Sequence, residues 1–129
     1  MGREYDAGVL GRCIVVIPAL SPDPKVTDYV STLLDKGFRQ VVVVDDGSGE
    51  AFAGTFYTLE GMEGCTVLRH EKNRGKGRAL KTAFAHILNC PLWEGSAVVT
   101  ADADGQHSVE DVCAVAAAAA ATAQTVSYT

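Results

Sequence analysis

Four short runs dominated by apolar side chains recur along the chain: Cys13 to Ile17, Val41 to Val44, Cys65 to Leu68 and Ala97 to Thr100. They are continuous rather than alternating, which is the pattern of strands covered on both faces. Between them the apolar positions fall at helical spacing. Val26, Tyr29, Val30, Leu33 and Leu34 form one stripe, and Leu80, Ala83, Phe84, Ile87 and Leu88 form another. Residues 51–59 predict a short helix, and Val109, Val112 and Cys113 open a last one. The punctuation agrees. Pro18 is expected to stop the first strand, Asp23-Pro24 reads as an N-cap and first helical position, Gly37 and Pro91 close helices, and Ser108 with Asp111 resembles a capping box. Strands alternating with helices predict right-handed crossovers and an α/β, Rossmann-like parallel sheet with helices on both faces.

Each polar cluster follows a strand. Asp45-Asp46-Gly47-Ser48 ends the second, the basic loop from His70 to Arg78 follows the third, and Asp102-Ala103-Asp104-Gly105-Gln106-His107 follows the fourth. Parallel sheets bind ligands at the carboxyl ends of their strands, so all three are predicted to meet at one edge. Asp102 and Asp104 are spaced i, i+2, which in extended backbone aims both at one face. Paired hard oxygen ligands suit Mg²⁺ or Mn²⁺, ions usually held by one or two carboxylates plus substrate phosphates. Gly75 and Gly77 flank Lys76 at the start of a helix, where unpaired N–H groups and the dipole favour an anion. Neither a full G-x-G-x-x-G nor a G-x-x-x-x-G-K-[ST] motif is present. Taken singly, each cluster is also explained by a solvated turn or basic loop; together they read as a nucleotide site without a Walker motif.

Composition narrows the class. The 129 residues predict a single domain, with 47% hydrophobic and 21% charged residues as in a folded globular protein. A net charge of −5 disfavours a nucleic-acid partner, although six of the eleven basic residues (Arg69, Lys72, Arg74, Lys76, Arg78, Lys81) form a local island. Cys13, Cys65, Cys90 and Cys113 show no C-x-x-C pair and are expected to be buried, reduced thiols. No run approaches the ~20 apolar residues of a membrane span, and no signal-peptide pattern follows the charged start. A cytoplasmic chain is expected, with any membrane association supplied by a partner.

Four blocks in this order carry a family resemblance: Val16-Ile17-Pro18-Ala19, Val43-Val44-Asp45-Asp46-Gly47-Ser48, Asn73-Arg74-Gly75-Lys76-Gly77-Arg78-Ala79 and Asp102 to His107. The chain resembles a family 2 glycosyltransferase of GT-A fold, nearest to the dolichyl- or polyprenyl-phosphate sugar synthases. The resemblance implies that Pro18 and Ala19 line the nucleotide base, and that Asp45 or Asp46 contacts base or ribose. It implies that Lys76, Asp102, Ala103 and Asp104 complete a UDP- or GDP-sugar site, and that Asp102, Asp104 and Gln106 attend the metal. The acceptor would be a lipid phosphate, which attacks the anomeric carbon of the sugar as the nucleotide diphosphate leaves and so inverts it. His107 fits the pattern, but a capping or packing role is expected; His70 and His86 are expected to be loop and helix-surface residues. Leu20-Ser21-Pro22 departs from the aromatic-Asn-Glu that commonly continues the first block. Family members continue past the D-x-D segment, so the resemblance implies that residues 1–129 form the donor-binding half, truncated after that motif. No catalytic residue is assigned. The rival readings are a receiver-like signalling module, and a non-catalytic half that pairs with a second copy or another chain.

Overall fold

The computed structural model describes residues 7–104, 107–121 and 126–128. A one-turn helix, α1 (Ala7–Leu10), precedes strand β1 (Cys13–Ala19). Helix α2 (Val26–Asp35), β2 (Gln40–Asp46), a 3₁₀ turn (Glu50–Phe52), α3 (Ala53–Glu60) and β3 (Cys65–His70) follow. Then come α4 (Lys76–Leu88), a 3₁₀ turn (Pro91–Trp93), β4 (Ala97–Thr100), α5 (Val109–Ala121) and a short β5 (Val126–Tyr128). The five strands form one parallel sheet in the order β3-β2-β1-β4-β5. The architecture is the expected Rossmann-like α/β arrangement.

The continuous apolar runs are explained by two cores. Val15, Ile17, Val41, Val43 and Val99 pack beneath α2, α3 and α5, whereas Ile14, Val16, Val42, Val44 and Val98 pack against α4. Successive side chains of one strand therefore enter opposite cores, and neither parity can be polar. A buried valine or isoleucine contributes about 1.5–3 kcal/mol relative to exposure, so the strands of β1 and β2 alone supply much of the drive to fold.

Several boundaries differ from those predicted. β1 runs through Pro18 to Ala19. The Val16 carbonyl accepts the Ala101 N–H, so Pro18, two residues on, faces the same side of the strand. The ladder with β4 has ended by then, its last pair being Val16 with Thr100, and the missing proline N–H costs nothing. Asp23 caps the turn before α2 rather than the helix itself: its Oδ1 accepts the Lys25 N–H at 2.9 Å, and the helix begins at Val26. Gly37, at φ 107°, closes α2 as expected. Ser108 Oγ accepts the Asp111 N–H at 3.0 Å and caps α5. α5 shares the face of α2, although β4 to β5 steps across the sheet in the opposite direction to β1 to β2. These two crossovers consequently have opposite hands, where a single right hand was expected. Cys13 and Cys113 are buried free thiols, but Cys65 and Cys90 are only partly buried. Among the described residues, no helix is long and apolar enough to cross a membrane.

Candidate nucleotide-binding site

The strand order reverses direction between β1 and β4, and a cavity of about 360 Å³ opens at their carboxyl ends. This is the switch point at which open α/β sheets take ligands. Pro18, Ala19 and Leu20 form one wall, from the end of β1. Asp46, Asn73, Gly75 and Lys76 form a second, and Asp102, Ala103 and Asp104 a third. Seven of the predicted site residues thus line one cavity: Pro18, Ala19, Asp46, Lys76, Asp102, Ala103 and Asp104. Asp45 is not among the lining residues, and Gln106 lies outside the described residues.

β4 ends at Thr100, so Asp102 and Asp104 are presented by the loop and turn beyond it and not by strand alternation. Both still line the cavity. Asp102 Oδ1 accepts Lys76 Nζ at 2.7 Å, and His107 Nε2 lies 3.5 Å from Oδ2. The Lys76 ammonium is the main reason the Asp102 carboxyl titrates below its ordinary range, with His107 adding to it against the effect of burial. Lys76 is 63% exposed and Asp102 33%, so this pair is held loosely. His107 is neither helix cap nor core residue: it stands beside Asp102, and its carbonyl accepts the Tyr29 hydroxyl at 2.7 Å. Burial, followed by the charges of Asp102, Asp104 and Asp111, pushes the Tyr29 phenol up to about 12.

The two acids of β2 are engaged differently. Asp46 Oδ1 accepts the Arg74 N–H, and Oδ2 the Gly75 N–H, each at 2.9 Å. His70 Nδ1 lies 2.8 Å from the same Oδ1. Burial alone would raise the Asp46 carboxyl, but the bonds from Arg74, His70 and Gly75 outweigh it and hold it below the usual range. Asp45 Oδ1 accepts the Ser48 N–H at 2.9 Å, and Ser48 Oγ accepts the Ser21 N–H at 2.8 Å. The second acidic strand end therefore ties the loops of the cavity together. Gly47, at φ 78°, completes this: a Cβ there would sit 2.3 Å from both Asn73 N and Lys72 C.

Much of the basic island disperses. Arg69 pairs with Glu60 at the end of α3, and only Lys76 of the six reaches the cavity lining. At the start of α4, the Ala79 N–H bonds the Gly75 carbonyl, and the first-turn N–H groups of Lys76, Gly77 and Arg78 have no intrahelical acceptor. An anion near Lys76 would meet them. Leu20 and Asn73 were not anticipated as lining residues; Leu20 follows Ala19, and Asn73 lies in the loop that leads to Lys76. His70 was expected in a loop, yet it is the last residue of β3 and its side chain is only 8% exposed. His86 lies on α4 as expected, tilted against Trp93.

Of the three carboxylates lining the cavity, Asp46 is taken up by main-chain N–H groups and His70, and Asp102 and Asp104 offer hard oxygen donors of the kind that suit Mg²⁺ or Mn²⁺. Among the described residues no group of three His, Cys, Asp or Glu side chains forms a metal cage. Such a cage is not needed where substrate phosphates and water complete the shell.

Residues 14–129 match the family model described as glycosyl transferase family 2. An uncharacterized protein, MJ1222, of Methanocaldococcus jannaschii is 37% identical over 98 residues, 76% of this chain and 37% of that protein. The dolichyl-phosphate beta-glucosyltransferase of Saccharomyces cerevisiae is 34% identical over 112 residues, 76% of this chain and 31% of the enzyme. The UDP-N-acetylglucosamine–dolichyl-phosphate N-acetylglucosaminyltransferase of Methanococcus voltae is 26% identical over 119 residues, 78% of this chain and 44% of the enzyme. The chain spans less than half the length of each of these relatives. No solved structure matches it.

Proposed function

The chain belongs to glycosyl transferase family 2, and on that premise we propose that its cavity binds a nucleotide-diphosphate sugar for inverting transfer to a lipid phosphate such as a polyprenyl phosphate. Family membership replaces the receiver-like reading. The observation that carries the proposal is the meeting of Pro18, Ala19, Lys76, Asp102 and Asp104 around one cavity at the β1/β4 switch point.

The apolar wall of Pro18, Ala19 and Leu20 offers a surface for the base. Lys76 and the first turn of α4 offer positive charge to the diphosphate at the opposite wall. Asp102 and Asp104, with Gln106 in the same motif, would hold Mg²⁺ or Mn²⁺, which supplies neutralisation of the diphosphate as it leaves. The chain's own contribution is orientation: the loop beyond β4 and the start of α4 bring the two acids and Lys76 to one cavity with the base wall. An acceptor phosphate is already anionic and needs less help from a general base than a hydroxyl does. The two dolichyl-phosphate glycosyltransferases among the relatives support this choice of acceptor.

Calorimetry with UDP- and GDP-sugars, with and without Mn²⁺, tests the reading. Metal-dependent binding of at least one donor is expected; failure of every donor to bind overturns it.

A further inference from the structure

A buried relay runs back from the cavity wall, starting at Asp46, which lines the cavity, and continuing through His70 and Thr82, which do not. Asp46 Oδ1 meets His70 Nδ1 at 2.8 Å, and His70 Nε2 meets Thr82 Oγ at 2.8 Å. The Asp46 and His70 side chains are 5% and 8% exposed. The relay joins three elements. Asp46 ends β2, His70 ends β3 directly opposite it in the ladder, and Thr82 lies in the second turn of α4. At its other end, the Asp46 carboxylate gathers the N–H groups of Arg74 and Gly75, the last two residues before α4. The conformation that delivers Lys76 to Asp102 is thus set by a carboxylate that is itself fixed by an imidazole.

We propose that His70 is a positioning residue: held between Asp46 and Thr82, it fixes the Asp46 carboxylate and through it the Asn73–Lys76 segment that forms one wall of the cavity. An ionised carboxylate only accepts hydrogen bonds, so Nδ1 carries the proton toward Asp46, and in the neutral ring Nε2 accepts the Thr82 hydroxyl. Neutral His70 is therefore locked as the Nδ1–H tautomer. The proposal rests on the donor-site reading for its consequence in binding, but not for its consequence in the loop.

The test uses the full chain. Asparagine places its amide nitrogen where Nδ1 stands, and glutamine places its own where Nε2 stands, so His70→Asn keeps the bond to Asp46 and His70→Gln loses it. The expected result is amide exchange at Arg74 and Gly75 about tenfold faster in His70→Gln, the scale of one lost hydrogen bond to a charged group, and within about threefold of the parent in His70→Asn. Thr82→Val, at a residue that bonds His70 and does not line the cavity, is expected to speed exchange at Gly75 severalfold and covers the case in which a His70 variant does not fold. Nitrogen NMR of the parent is expected to show Nδ1–H for neutral His70. Equal exchange in the Asn and Gln variants, unchanged Gly75 exchange in Thr82→Val, or an Nε2–H tautomer overturns the proposal. Donor affinity with Mn²⁺ is expected to fall with the exchange result. If no donor binds the parent, the function proposed above fails, and the exchange ratios still decide the role of His70.

Discussion

Replacing Gly47 by alanine should cost far more than the same change at Gly95, although the two backbones are nearly alike. Gly47 has φ 78° and Gly95 φ 81°. Both substitutions carry the penalty of a side chain in left-handed backbone, about 1–2 kcal/mol. At Gly95 nothing lies within 4 Å of the added Cβ, so that penalty is the whole effect. At Gly47 the Cβ would lie 2.3 Å from Asn73 N and Lys72 C and 2.7 Å from Lys72 Cα. These are main-chain atoms and cannot rotate aside; the segment must move by about 1 Å, an overpacking cost of about 1–3 kcal/mol. Moving it also disturbs the Arg74 and Gly75 bonds to the buried Asp46 carboxylate, which contribute about 1.5–3 kcal/mol each when charge-assisted. A total near 3–5 kcal/mol follows for Gly47→Ala if these bonds are weakened rather than lost. That is a large part of the ~5–15 kcal/mol that holds a domain folded. Urea denaturation of both variants measures it: the midpoint of Gly47→Ala should fall well below that of Gly95→Ala, with the slope unchanged. Equal midpoints would refute the claim that the β2 loop is built on close approach to the Lys72–Asn73 backbone.

Three further outcomes follow from the site. Lys76→Met should raise the affinity for Mn²⁺ alone by up to about fivefold, the ceiling for an exposed ion pair, while weakening donor binding; calorimetry with metal and with donor separates the two effects. Because the folded-state pKa of Asp46 is depressed, its contribution to stability is present above the unfolded value near 4 and is lost as the pH falls through the folded value. The urea midpoint of Asp46→Asn should accordingly be low at pH 7 and fall less than that of the parent on acidification; parallel pH profiles would contradict this. Tyr29→Phe should cost about 0.5–1.5 kcal/mol for the lost bond to the His107 carbonyl, and ultraviolet titration should lose a phenol that ionises at about 12.

The sheet was legible because its signal is local: residues that enter two cores must be apolar at every position, as in β1 and β2. The meeting of Lys76 with Asp102 was also legible, since both follow strands that end at one edge. What the residues did not disclose depends on pairing between distant segments. The sequence marks His70 only as a polar residue after an apolar run. Its role appears once β2 and β3 are in register, with Asp46 opposite His70. Gly47 reads as an ordinary turn glycine until the loop after β3 is laid across it. The D-x-D spacing predicted two acids on one face of an extended strand; Asp102 and Asp104 instead line the cavity from the loop and turn beyond β4.

The same distinction decides which acid at this edge can serve a ligand. A carboxylate offers about four acceptor sites, and Asp46 already fills three of them, with two main-chain N–H groups and a buried imidazole. Those donors cannot be withdrawn without dismantling the segment they belong to, so a ligand would have to compete with the fold itself. Asp102 is held by an exposed lysine, whose four-carbon stem can swing aside at a cost of no more than about 1 kcal/mol. A metal or a donor can displace that partner and give it a new one, since the ammonium released from Asp102 is the charge that an arriving diphosphate requires. Asp46→Asn should therefore weaken donor binding only as far as it loosens the Asn73–Lys76 segment, whereas Asp102→Asn should abolish the metal dependence of binding with that segment intact. Measuring Gly75 amide exchange beside donor affinity in the two variants separates these effects, and loss of metal dependence in Asp46→Asn with unaltered exchange would overturn the assignment.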